Sequence, residues 1–272
     1  MHAVRPPAVA GAFYPGERQT LSGTVASLLA AARAQQAETS GVTPKVLIVP
    51  HAGYVYSGEM AARGYARLAA AHATIRRVVL LGPVHRVPVR GLALPGTQAF
   101  ATPLGEVAID APAVAALMTL SQVVVSPAAH AREHALEVQL PFLQTVLDDF
   151  TLLPLAVGDA TPEQVAEVLE TVWGGPETLI VISSDLSHYL PYPTAQAIDR
   201  TTVDRILALQ GPLTHEQACG GTPINGLLLN ARRHHLQPEL LGLCNSGDTA
   251  GDRQRVVGYA AMAFMEPCHG AH

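Results

Sequence analysis

A chain of 272 residues, 49% hydrophobic and 14% charged, is long enough and apolar enough for a substantial core, and this excludes a disordered polypeptide. The formal net charge is -5, and the absence of any basic stripe or run excludes a nucleic-acid footprint. No apolar run approaches the ~18–20 residues of a membrane helix, and "MHAVRPPAVAGAFYPG" lacks the charged and apolar regions of an export signal, so the expected compartment is the cytoplasm.

From the N-terminus, the Ala- and Leu-rich stretch Leu21–Gln36 predicts a helix, and the β-branched run Lys45–Val49, stopped by Pro50, predicts a buried strand. Gly58–Ala71 reads as a helix. Arg76–Leu81 reads as the next strand, ended by Gly82-Pro83. Gly91–Asp110 alternates around Pro-Gly and Leu-Gly turns, which predicts a β-ribbon excursion. A helix over Ala111–Leu120 and a strand over Gln122–Val125 follow. Glu133–Leu147 then fits a helix that Pro141 kinks or restarts. Thr151–Val157 is a strand, and Thr161-Pro162 caps a helix to Trp173. Thr178–Ile182 is a strand, Thr194–Leu209 and Gly221–His234 carry helices, and Arg255–Phe264 closes the chain as a strand. Short apolar strands alternating with helices predict a single α/β domain over residues 1–272, with a mostly parallel central sheet covered by helices on both faces.

Polar residues gather just after these strands. "KVLIVP" leads into His51, "RRVVLLGPVH" ends at His85, and "TLIVISSDLSH" delivers Asp185 and His188. Ligands of open α/β sheets bind outside the carboxyl ends of the strands, so three strands aim His or Asp at one rim. Imidazole suits iron, zinc and copper. If Ser183 or Ser184 caps a helical turn, Asp185 and His188 share a face, and the carboxylate can orient the imidazole for acid–base work. The alternative is that Asp185 caps a turn and His188 is a half-buried polar residue.

Cys219 precedes Gly220-Gly221 and a helix-like run, a setting for a nucleophile, a metal ligand or a small residue at a tight turn. The other cysteines are Cys244 and Cys268. Three thiols cannot all pair within one chain, in keeping with a reducing compartment. A rival motif is "HAREH": His130, Glu133 and His134 match H-x-x-E-H, in which two histidines one turn apart bind zinc and the glutamate is the base of a hydrolase. Alternatively, Glu133, His134 and Glu137 form a polar helix face turned to the same rim. The tail "CHGAH" reads as a frayed terminus. No P-loop, G-x-G-x-x-G or G-x-S-x-G motif is present.

Seven segments, "AGAFYPG", "VPHAGYVYSG", "LLGPVHR", "EHALEVQLPFL", "VISSDLSHY", "CGGTPINGLLL" and "NSGDTAGDRQRVVGYAAMAF", together resemble the Memo-like protein family, whose bacterial and archaeal members are called AmmeMemoRadiSam system protein B. The resemblance runs from Ala10 to Phe264. It implies a fold similar to class III extradiol dioxygenases, with His51, His85 and Cys219 as metal ligands and Asp185 and His188 as acid–base residues. His134 and Glu137 match the family's "EHxxE" block and join the catalytic set. The implied cofactor is iron (Fe2+), with copper or zinc as rivals, and the implied protein partners are of the radical-SAM and AMMECR types. A homodimer is also expected. Two functional classes follow: a metal-dependent, dioxygenase-like oxidoreductase acting on an unknown small molecule, or a non-catalytic module holding a peptide or protein in the same cleft.

Overall fold

The structure, a computed structural model, describes residues 3–35 and 42–267; Gln36, Cys268 and the "CHGAH" tail lie outside the described residues. In chain order its first half contains β1 (Val4–Arg5), α1 (Arg18–Gln35), β2 (Val46–Val49), α2 (Tyr54–Ala66), β3 (Arg77–Pro83), β4 (Leu92–Leu94), β5 (Ala99–Thr102), β6 (Gly105–Ala108), α3 (Ala111–Leu117), β7 (Val123–Val125) and α4 (Pro127–Ala131). The second half contains α5 (Leu140–Val146), β8 (Thr151–Val157), α6 (Pro162–Thr171), β9 (Thr178–Ser183), β10 (His188–Leu190), α7 (Tyr192–Leu207), α8 (Gly221–Arg233), β11 (Gln237–Asn245) and β12 (Val256–Met265). A single 3-10 turn, Glu137–Gln139, precedes α5.

Every residue of β2 and β9 is buried, which requires cover on both faces of the sheet. The alternation of side chains in a strand supplies two cores from one run. Leu47, Val49, Leu80 and Val181 face a cluster built on α1, α2 and α5, with Leu21, Val25, Tyr65 and Phe142. Their neighbours Val46, Ile48, Leu81 and Ile182 face the opposite cluster, built on α6, α7 and α8, with Val165, Val203, Ile224 and Leu227. Among the described residues, nine strands form one sheet in the order β10-β12-β2-β9-β3-β8-β4-β7, with β11 paired to β12.

The α/β class holds, and the expected parallel strands form the middle of the sheet: β2, β9, β3 and β8 run parallel. Antiparallel pairs flank them, β12 against β2 on one side and β4 against β8 on the other. The ribbon region divides. Its strand β4 joins the main sheet, while β5 and β6 form a hairpin that pairs with β1 in a separate small sheet.

Two expectations change. Glu133–Leu147 is not one helix: residues 133–136 are irregular, and α5 restarts with Pro141 in its first turn, where its missing N–H costs no bond. The long strand β11 lies in a stretch that gave no strand signal. It carries Pro238 at its start and Gly242 at a register shift against β12, and its residues are mostly half-buried, so no alternation marks it. The cap expected at Thr161-Pro162 is a full capping box, with Thr161 and Gln164 each satisfying the other's backbone N–H. Among the described residues, no helix is long and apolar enough to cross a membrane.

Helices α6 and α8 approach closely at Gly226. A Cβ there would lie 2.4 Å from both Cβ and Cγ1 of Val165 and 3.1 Å from the Ala166 nitrogen. Val165 is stiff at χ1 and the other neighbour is backbone, so neither can yield cheaply. Gly226→Ala gains up to about 1 kcal/mol in helix propensity, but overpacking costs about 1–3 kcal/mol. We expect a net loss of stability in urea denaturation, with no change in any property of the distant rim.

Candidate metal centre

In the sheet, β9 lies between β2 and β3 and all three run parallel, so their carboxyl ends open on one rim. His51, Asp185 and His85 each stand two residues beyond the last residue of β2, β9 and β3 respectively. Val49 pairs with Ser183, which sets His51 and Asp185 level, and the His51 backbone N–H donates to Asp185 Oδ1 at 2.8 Å. His134 arrives from the irregular stretch after α4. The His51 ring lies 5.2 Å from that of His85 and 5.4 Å from that of His134, and the last two stack at 4.6 Å. One ring nitrogen from each of the three falls within 4.8 Å of the others.

Their hydrogen-bond partners assign the protons. Ser183 Oγ donates to the Ala135 carbonyl at 2.6 Å and so accepts from His51 Nδ1 at 2.9 Å. Glu133 Oε1 accepts from His85 Nδ1 at 2.8 Å. Both rings therefore carry hydrogen on Nδ1, which makes Nε2 the nitrogen able to ligate. His134 Nδ1 is buried, lies 3.3 Å from Glu133 Oε1, and makes no hydrogen bond. Burial, and then the neighbouring His85, lower His51 to about 3. Burial, and then His51, lower His134 to about 4. Both rings are thus neutral at pH 7, the form that ligates metals.

The support comes from residues 133–139. Burial alone would raise Glu133, but the His85 ring and backbone N–H groups bonded to it hold it at about 2. Gln139 donates to Ser183 Oγ and to the Pro50 carbonyl, both at 2.9 Å, and its Oε1 accepts from the Tyr65 hydroxyl at 2.8 Å. Glu137 is fully buried, and its carboxylate accepts from Arg5, the Ala8 and Val9 N–H groups and the Tyr14 hydroxyl. That anchors the N-terminal segment, whose Phe13 ring packs 4.6 Å from the His134 ring.

Of the residues singled out in the sequence, His51, His85 and His134 come together as the imidazole cluster. Cys219 stands at its edge, with Sγ 3.3 Å from His51 Nε2. Burial, and then the Asp185 charge, push its thiol up to about 12. Asp185 is buried, which raises its carboxyl. His188 borders the same cleft, but the helical turn expected to join it to Asp185 does not form: residues 184–186 carry no regular structure. His188 Nδ1 instead donates to the Leu186 carbonyl at 2.8 Å, which leaves Nε2 as the proton acceptor. Asp185 bonds the His51 backbone and acts on His188 through its charge alone. Glu137, expected at the rim, is instead spent on the N-terminal segment.

The helical zinc site expected of His130, Glu133 and His134 does not assemble. α4 ends at Ala131, so His130 and His134 do not share a helix face. His130 Nε2 donates to the Ala93 carbonyl at 2.7 Å, and its ring meets Phe100. Glu133 belongs to His85. The sequence signal for Glu133 was present in that motif but was attached to the wrong histidine; Ser183, Gln139 and Phe13 carried no signal of their own.

The cluster opens into a cleft of about 1920 Å³, bordered by Phe13, Tyr56, Arg86, His188, Tyr189 and Arg255 among others. A parallel-centred α/β sheet with three imidazoles gathered at its strand ends defines a scaffold able to hold a metal ion at the sheet rim. The chain belongs to the Memo-like protein family, whose model matches residues 5–263. It is 33% identical to a MEMO1 family protein of Metallosphaera sedula, over 96% of this chain and 99% of that one. It is 36% identical to a MEMO1 family protein of Methanosarcina barkeri, over 95% and 99%. Among solved structures, an uncharacterized protein of Escherichia coli K12 matches with a TM-score of 0.53 at 14% identity, over 80% of this chain and 98% of that one, a likeness of fold.

Two measurements test this description. Glu137→Ala leaves the buried Arg5 guanidinium without its counter-ion and the Tyr14 hydroxyl without its acceptor, and breaking such a pair costs about 3–5 kcal/mol. Urea denaturation is expected to show a loss of that order, and a loss under 1 kcal/mol would contradict the anchoring role. The second concerns acid. A histidine whose folded value lies below its unfolded 6.5 takes its proton more readily in the unfolded chain. Its contribution is complete above pH 6.5 and is lost as pH falls towards about 4 for His134 and about 3 for His51. The metal-free protein should show this decline, and His51→Gln should flatten it. The difference between the two proteins removes the opposite-signed effect of Asp185.

Proposed function

We propose that this protein is a metal-dependent enzyme of the oxidoreductase kind, acting on an organic ligand held in the cleft. The observation that carries the reading is the commitment of Nδ1 on His51 and His85 to Ser183 and Glu133, which turns Nε2 of each ring to the cluster beside a third, half-buried imidazole. That donor set fits a first-row transition metal. His51, His85 and His134 would hold the ion, with the Cys219 thiol beside His51 as a further donor. Iron is the first choice, with copper and zinc as rivals. When bound, iron or copper would supply redox chemistry and open coordination positions, and zinc Lewis acidity alone.

The chain's own residues then have distinct tasks. His188, its Nδ1 engaged by the Leu186 carbonyl, accepts a proton at Nε2. Asp185 holds the loop bearing His51 through the His51 N–H. Phe13 covers His134 on the side of the N-terminal segment and excludes water there. Arg86 and Arg255 border the cleft and suit a ligand with an anionic group. The ring-opening chemistry of class III extradiol dioxygenases, implied by the resemblance, is one reaction this arrangement would serve.

A second reading has its own observation. Small-molecule sites are usually ~300–1,000 Å³, and a cleft of about 1920 Å³ has room for a peptide or for a ligand presented by a protein partner of the radical-SAM or AMMECR type. In that case the cleft binds without turnover.

Anaerobic purification followed by metal analysis separates the two. We expect near-stoichiometric iron in the wild type, lost in His51→Ala and reduced in Cys219→Ser and His134→Ala. Metal-free protein, with the same ligand binding in wild type and His51→Ala, would leave only the binding module.

A further inference from the structure

Glu133 stands outside the imidazole cluster, yet three connections to the cluster converge on its carboxylate. It is 1% exposed. Its Oε1 accepts from the His85 ring at 2.8 Å and from the His134 and Ala135 backbone N–H groups, each at 2.9 Å. Its Oε2 accepts from the His85 backbone N–H at 2.7 Å. A carboxylate offers about four lone-pair sites; here three donors share Oε1 and one reaches Oε2. The Glu133 carbonyl is held in turn by Arg5 Nη2 at 2.7 Å. The loop after β3 and the turn after α4 thus meet on one side chain, and the His85 and His134 rings stack as a result.

We propose that Glu133 is a positioning residue for the metal centre: it holds the His85 proton on Nδ1, aims the ring, and ties His134 beside it. A carboxylate can only accept, so the ring atom facing it must donate, and Nε2 is the nitrogen able to ligate. Carboxylate partners of this kind fix the tautomer and raise the basicity of ligating histidines. Glutamine in the same volume alters this. It offers one acceptor oxygen and one amide nitrogen, and the amide would confront donors with donors. Its oxygen suits the Oε1 site with that site's three donors, which keeps the His85 proton on Nδ1, but the amide nitrogen then confronts the His85 backbone N–H in place of Oε2 and displaces the loop that carries the ring.

The control of His85 stands on hydrogen-bond geometry alone; its consequence for metal affinity rests on the metal-binding reading above. The experiment therefore has two arms. In the first, the metal-free protein is labelled with 15N-histidine and the ring nitrogens of His85 are read by NMR, in wild type and in Glu133→Gln. We expect protonated Nδ1 in the wild type, kept in the variant, with the His85 ring signals shifted as its loop moves. In the second, Co²⁺ alone is titrated anaerobically and followed by its visible spectrum. Glu133→Gln should bind about 10–100-fold more weakly, the range for lost outer partners of metal ligands. In a His85→Ala background the same substitution should weaken binding by a smaller factor than in the wild type, because residues acting through one another do not add and only the tie to His134 is left.

A wild-type His85 carrying its proton on Nε2 overturns the proposal. So does a folded Glu133→Gln that keeps both the wild-type His85 ring signals and the wild-type Co²⁺ affinity. A wild type that ignores Co²⁺ counts against the metal reading, while the NMR arm still decides the role of Glu133. If Glu133→Gln fails to fold, the wild-type spectrum decides alone, with protonated Nδ1 supporting the assignment and protonated Nε2 sinking it.

Discussion

An imidazole can hold a cation only through a nitrogen that carries no hydrogen, and the rest of the rim is arranged around that constraint. Two of the three rings have Nδ1 occupied by protein acceptors, Ser183 for His51 and Glu133 for His85. Ser183 can accept because its own hydrogen goes to the Ala135 carbonyl. Glu133 can accept from four donors because it is ionised and buried among N–H groups. The choice of nitrogen is made by residues that never face the cleft, and most of them lie in one short segment, 133–139.

That segment explains why so much polar chemistry is buried in a chain that is only 14% charged. Burying a carboxylate is costly unless its oxygens are satisfied, and both Glu133 and Glu137 are satisfied throughout. Glu137 uses its oxygens to fasten the N-terminal segment, and Phe13 of that segment packs on His134. Gln139 links Pro50, Ser183 and Tyr65. One short stretch therefore orients two imidazoles, supplies a third and holds a wall of the cleft. A regular helix through residues 133–147 would turn successive residues about 100° apart and scatter these contacts around its axis.

The parallel core of the fold was legible because its strands are short and apolar and three of the four, β2, β3 and β8, end at Pro or Gly; His51 and His85 were legible as the first polar residues beyond their strands, and Asp185 as the first charged one. The flanks were not. β11 contains Pro238 and Gly242 and is half-buried along its length, so neither a continuous apolar run nor alternation identifies it. The pairing of Asp185 with His188 rested on a helical turn that the chain does not make. "HAREH" did contain two residues of the centre, Glu133 and His134. Its spacing suggested a helix with His130 as partner, but the helix stops at Ala131 and His130 turns to the Ala93 carbonyl. What decides these cases is which backbone groups lie nearby in space, and that is not written in local spacing.

The overhang of two residues beyond β2, β9 and β3 has an evolutionary consequence. A strand advances ~3.3 Å per residue and alternates its faces, so one inserted residue at the end of β2 would displace His51 and turn it away from Asp185, with which it is level. Helices and surface loops can lengthen without touching the rim. Length variation among descendants of this architecture is therefore steered to the helix side of each β–α unit, while the short spans from strand end to imidazole behave as fixed rulers.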